Sequence, residues 1–140
     1  MTESRLVASA LVEGKAGYAQ TIRSGRHTLT ADEPATVGGT DTGPGPYGLL
    51  LAALGACTSI TLRMYAERKG WELGRIEVSL RFFRDGDVGR VERELRFSAP
   101  LDDAQRARLL EISEKTPVTL TLKRGTPIHT VIGEGDAAPG

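Results

Sequence analysis

The chain has 140 residues, of which 18 are Lys or Arg and 18 Asp or Glu, so it has the length of one domain and no net charge. That balance excludes a broad nucleic-acid surface, which needs a basic excess, and strong attraction to an anionic membrane. A single cysteine excludes an internal disulfide and any multi-thiolate metal centre, and it points to a reducing cytoplasm.

Met1 to Arg5 leads into a brief apolar run, Leu6 to Val12, too short for a secretory signal and readable as a first strand. Glu13 to Gly17 supplies turn residues. Tyr18–Ile22 and His27–Thr30 read as two strands of a hairpin around Ser24-Gly25. Asp32 to Gly45, rich in Gly, Pro, Asp and Thr, is a loop.

A long helix follows. Pro46 suits its first turn, where a missing N–H costs nothing, and Gly70 suits the left-handed position past its end. Arg63, Arg68 and Lys69 complement the negative end of the helix dipole. Residues 43–62 carry no charge and are numerous enough to span a membrane, but hydroxyls, glycines and prolines interrupt them, and no membrane role is expected.

The second β block alternates cleanly. Ile76, Val78, Leu80 and Phe82, then Val91, Leu95 and Phe97, face one way. Arg75, Glu77, Arg81, Glu92, Glu94 and Arg96 mark a solvated face, and Asp85 to Gly89 supplies the hairpin turn. Asp102 with Gln105 has the form of a capping box, opening a helix to about Lys115. Val118–Leu122 fits either a strand or, with Pro117 at its start, a short helix. Ile128–Ile132 reads as a final strand, and Gly133–Gly140 as a flexible tail. Antiparallel runs with helices between them make an α+β fold, with two β blocks and a long central helix in a single domain over 1–140.

Leu49, Leu50, Leu51, Ala53, Leu54, Ala56, Ile60, Leu62 and Met64 surround the long helix at 100° per residue. One small sheet cannot cover all of them. A second copy of the chain supplies the missing surface most simply, as a two-fold dimer; the alternative is that both β blocks wrap the helix within one chain. Ala52, Ala53, Gly55 and Ala56 would admit a close backbone.

Cys57 lies within that helix. A lone cysteine is most often a small buried hydrophobe, and reactivity needs a cation, a base or a helix N-terminus close by. Arg23, Arg26 and His27 in the N-terminal hairpin are possible sources of activation. His27 and His129, far apart in sequence, give no metal-ligand spacing. Gly38 to Gly48 lacks the Lys-Ser/Thr of a phosphate loop, and its prolines remove backbone donors.

The stretch "ADEP" followed by "GGTDTGPGPYGLLLAALGACTSITLRMYAERKGW", and later "LLEISEKTPVTLTL", resembles the OsmC/Ohr family of osmotically induced and organic hydroperoxide resistance proteins. The similarity runs from about Gly17 to Ile132. It implies an OsmC-like α+β fold, an intertwined homodimer with two central helices packed together, and sites between the subunits. It implies a peroxidatic thiolate at Cys57 with no metal or organic cofactor, and an activating arginine from the N-terminal region, for which Arg23 and Arg26 are the candidates. Two positions depart from the pattern of the peroxidases. The resolving cysteine is replaced in Thr116-Pro117-Val118, and the glutamate that orients the arginine is replaced by Tyr47.

The resemblance thus implies a cytoplasmic one-cysteine thiol peroxidase acting on small apolar organic hydroperoxides. An external thiol would be its reductant, and Tyr47, Thr116 and His27 would line the pocket. The alternatives are a non-catalytic relative that binds an apolar small molecule in a dimer pocket, and a structural dimer whose cysteine is part of the core.

Overall fold

A computed structural model describes residues 3–135. The elements are β1 (Leu11–Gly14), β2 (Gln20–Ser24), β3 (His27–Ala31), a 3₁₀ turn (Ala35–Val37), α1 (Pro46–Lys69), β4 (Ile76–Asp85), β5 (Val88–Phe97), α2 (Asp103–Ser113) and α3 (Pro117–Arg124). They fall into two compact units divided within α1, one ending at Leu49 and the other running from Leu50 to Glu134.

The first unit holds an antiparallel sheet in the order β1-β2-β3. Ser24 pairs with His27, so the β2–β3 turn consists of Gly25 and Arg26, with Gly25 in the left-handed conformation that favours glycine. β1 begins at Leu11, later than the apolar run starting at Leu6 suggests; residues 6–10 belong to no strand, and Ser9 O accepts from Ser24 Oγ at 2.8 Å. The loop over 32–45 is as expected, and its centre is a fully buried carboxylate. Asp32 accepts from Glu33 N (2.7 Å), from Thr40 N and Oγ1 (3.3 and 2.6 Å) and from Thr42 N and Oγ1 (3.1 and 2.7 Å). Its own N–H reaches Pro44 O, which ties the loop to the approach of α1. Two glycines are obligatory here. A Cβ on Gly39 would lie 1.9 Å from the Glu33 carbonyl oxygen, and one on Gly43 would lie 2.3 Å from that of Thr30. The Thr40 and Thr42 hydroxyls hold the Asp32 carboxyl far below its ordinary range, outweighing the opposing effect of burial.

In the second unit, α1 ends as its sequence dictates. Gly70 adopts φ 69°, its N–H bonds to Glu67 O, and the Trp71 N–H bonds to Ala66 O. This is a Schellman closure, and it folds the Trp71 ring against Tyr65 with centroids 5.6 Å apart. Leu54, Thr58, Leu62 and Ala66, spaced four apart, form the buried stripe of α1. Leu62 and Ala66 join Leu73 and Leu109 in the core, flanked by Ile76, Leu95, Phe97 and Ile112. Farther round the helix Ile60 and Met64 remain 58% and 56% exposed, and Ala52, Ala53 and Ala56 are exposed with them.

β4 and β5 form one long hairpin whose turn is only Gly86-Asp87, tighter than the five-residue turn expected. The expected capping box opens α2: Asp102 accepts from Gln105 N, and the Gln105 side chain accepts from Asp102 N. α2 stops at Ser113, two residues short of Lys115. The region that fitted either strand or helix is helical, because Thr116 caps it, Pro117 occupies its first position and Gly125 follows its last residue. The final strand expected at Ile128–Ile132 is absent; these residues pair with no strand among the described residues and are exposed. β-branched propensity alone does not make a strand where no ladder partner is available. Of the tail expected to be flexible, residues 136–140 lie outside the described residues.

Candidate functional site

Cys57 is half-buried on α1. The start of α3 lies against it, and the Val118 backbone N–H donates to Cys57 Sγ at 3.5 Å. Val118 is the second residue of α3, one of the first-turn N–H groups that have no partner within their own helix. The sulfur therefore takes up an otherwise unsatisfied donor. A thiolate accepts such a bond more strongly than a neutral thiol.

Beside this contact lies a cluster of small buried polar residues built around Arg93 of β5. Its side chain is 12% exposed. Nη1 donates to Thr58 Oγ1 and to Thr119 Oγ1, both at 2.9 Å, and Nη2 donates to Ser113 O at 2.9 Å and to Glu114 Oε2 at 3.1 Å. The Thr58 hydroxyl donates to Leu54 O, so it can only accept from Arg93. Thr116 and Thr119 share a hydroxyl–hydroxyl bond of 2.6 Å, and Thr116 Oγ1 also accepts the Thr119 N–H as the cap of α3. Among the described residues no buried side-chain nitrogen or oxygen lacks a partner. Glu114 also pairs with Lys123 at 2.6 Å; the Lys123 ammonium first, and Arg93 less, hold its carboxyl below the ordinary value.

A cavity of about 580 Å³ opens on the same cluster. Leu54 of α1, Phe82 of β4, Leu95 of β5 and Leu122 of α3 form apolar walls, while Arg93, Glu114 and Thr119 form a polar side. Cys57 is not among its walls. No group of three or more His, Cys, Asp or Glu side chains among the described residues is placed to hold a metal ion.

Of the six site residues expected from the sequence, Cys57 and Thr116 belong to the second unit and both adjoin the first turn of α3. Thr116, expected from the resemblance to stand where the peroxidases have a second thiol, caps the helix whose N–H reaches the sulfur. The other four belong to the first unit. Arg23 on β2 is paired with Glu13 of β1, Arg26 is in the β2–β3 turn, His27 opens β3, and Tyr47 is the second residue of α1; all four are exposed. Arg93 was missed. Its signal lay in the alternation itself: Val91, Leu95 and Phe97 mark one face of β5, and position 93 falls on that face with a charge where the pattern calls for an apolar side chain.

Comparison with known proteins adds a family. The OsmC family, described as OsmC-like protein, matches residues 39–131. Three of the solved structures that share the fold illustrate the likeness. An OsmC-like protein from Mycoplasma pneumoniae is 19% identical with a TM-score of 0.70, over 87% of this chain and 89% of that one. OsmC, an organic hydroperoxide resistance protein from Legionella pneumophila, is 16% identical with a TM-score of 0.66, over 86% and 92%. OhrB, the organic hydroperoxide resistance protein of Bacillus subtilis, is 24% identical with a TM-score of 0.60, over 83% and 90%. At these identities the likeness is one of fold. No curated protein matches the sequence significantly.

Proposed function

Because the chain belongs to the OsmC-like protein family, associated with osmotic stress and organic hydroperoxide resistance, we propose that it reduces organic hydroperoxides through Cys57. In this reading the Cys57 thiolate attacks the distal oxygen of the hydroperoxide. The O–O bond breaks, the alkoxide leaves and takes up a proton as the alcohol, and sulfur is oxidised by two electrons to a sulfenic acid. An external thiol then attacks that sulfur, releasing water and leaving a mixed disulfide. A second thiol frees Cys57 and carries away the disulfide. The external reductant is needed because Thr116 has no thiol to offer. The protein acts in the cytoplasm, where thiols are abundant, and as a homodimer that covers the exposed Ala52, Ala56, Ile60 and Met64 stripe of α1. The site uses neither metal nor organic cofactor.

The observation that carries this reading is the Val118 N–H on Cys57 Sγ at the first turn of α3. The test is consumption of cumene hydroperoxide by purified protein with a dithiol, and mass spectrometry of Cys57 after a brief exposure. Turnover with sulfenate or mixed disulfide at Cys57, and loss of turnover in Cys57→Ser, is the expected result. An unmodified thiol, or a Cys57→Ser rate equal to that of the native chain, overturns it.

The cavity supports a second reading, a non-catalytic relative that binds a small apolar molecule. Its volume lies in the usual range for ligand pockets, and Cys57 is not among its walls. That reading expects an apolar ligand to raise the melting temperature by mass action, equally in Cys57→Ser, without being consumed.

A further inference from the structure

We propose that Arg93 is a positioning residue for Cys57, holding the first turn of α3 so that the Val118 N–H stays on the sulfur. The proposal rests on the reading of Cys57 as the reacting group, but its geometry can be tested without that reading.

Two contacts run side by side between α1 and α3. One is Cys57 Sγ with Val118 N. The other is Thr58, the next residue on α1, joined through Arg93 Nη1 to Thr119, the next residue on α3. The sulfur contact is soft, because a thiol sulfur is a weak acceptor, and by itself it cannot set the separation of the two helices. The guanidinium bridge can, because its two 2.9 Å bonds are charge-assisted and end on fully buried or nearly buried hydroxyls. Nη2 adds the carbonyl of Ser113, the last residue of α2. The turn from α2 into α3 is therefore fastened at its beginning and just past its end by one side chain.

Burying a guanidinium costs free energy that an apolar residue at position 93 would not incur. Its carboxylate partner among the described residues, Glu114, is half exposed and shared with Lys123. The arrangement is explained if position 93 needs a rigid planar fork that can donate to four acceptors from different elements at once. Lysine has the charge but not the fork.

The experiment follows the Val118 amide in ¹⁵N-labelled protein. Cys57→Ala removes the sulfur and sets the reference displacement of the Val118 amide proton. Arg93→Lys and Arg93→Gln are expected to displace that resonance in the same direction by at least half as much. In the same variants kcat for hydroperoxide falls about tenfold with KM nearly unchanged, as expected when a reacting group is misplaced rather than the substrate released. If neither variant folds, Thr58→Val cuts the bridge at its α1 end and carries the same expectation. A folded variant with the Val118 resonance of the native chain overturns the proposal. If the native chain itself consumes no hydroperoxide, the peroxidase reading fails and the amide displacement still decides the role of Arg93.

Discussion

The loop over 32–45 and the seam beside Cys57 solve one problem in opposite ways. Each is organised by a single buried charged group. In the loop it is an anion, Asp32, whose five donors all come from residues within ten positions of it. At the seam it is a cation, Arg93, whose acceptors lie 20 to 35 positions away on α1, α2, α3 and the turn between the last two. The first network needs only its own stretch of chain. The second exists only once a hairpin and three helices have met. A local network rigidifies a segment; a long-range one makes elements depend on each other, and such a device suits a site assembled from several elements.

The contrast can be broken most forcefully in the loop. Gly39→Ala places a methyl against the Glu33 carbonyl, which is backbone and cannot swing aside. The expected loss is about 3 kcal/mol, at the upper end of ordinary overpacking, read by urea unfolding. Gly45→Ala serves as the control, since its Cβ meets only ordinary contacts at 3.6 and 3.7 Å. Equal losses in the two variants would mean that the loop is not held as described.

Acid sharpens the comparison, because Asp32 can be neutralised by protons and Arg93 cannot. Asp32 has a lowered pKa in the folded chain, against an ordinary value of 3.8. Its stabilising effect is therefore complete above the ordinary carboxylate range. It is lost as pH falls below that value toward the folded one, where the unfolded chain binds a proton that the folded chain does not. Asp32→Asn should be less stable at neutral pH. Below about pH 4 its stability should fall less steeply than that of the native chain, by up to one proton per molecule unfolded. Parallel curves in acid would remove Asp32 as the loop's organising charge.

These networks also decide what the sequence made legible. α1 was readable to the residue, because Pro46 and Gly70 are local signals at its two ends. The α2 capping box and the loop were readable for the same reason: their partners lie close along the chain. The strand expected at Ile128–Ile132 failed because a strand needs a neighbour, and no local residue reports whether one is present. Cys57 stands out as the lone cysteine of the long helix, and the family resemblance adds the reacting role expected of it. The expected activation came from Arg23, Arg26 and His27, whereas the donor found on its sulfur is a backbone N–H of Val118, which no side-chain pattern announces. Thr116 was noted for the thiol it lacks rather than for the helix it caps.

The hairpin of β4 and β5 contains the smallest and most diagnostic test. Arg81 on β4 stands directly opposite Glu92 on β5, and one residue further along β5 Arg93 stands opposite Leu80. The two arginines therefore lie on opposite faces of one ribbon, since successive side chains alternate. Arg81 meets Glu92 at 2.8 Å with its side chain 70% exposed, so both groups keep most of their hydration and their attraction is screened. Arg81→Gln is expected to change stability by no more than about 0.5 kcal/mol and to leave the Val118 amide resonance where it is. A Val118 displacement comparable to that of Arg93→Gln would mean that charge anywhere on the hairpin matters, and the inward face would lose its special standing. If Arg81→Gln is silent while Arg93→Gln moves the amide, the effect belongs to the fork between Thr58 and Thr119.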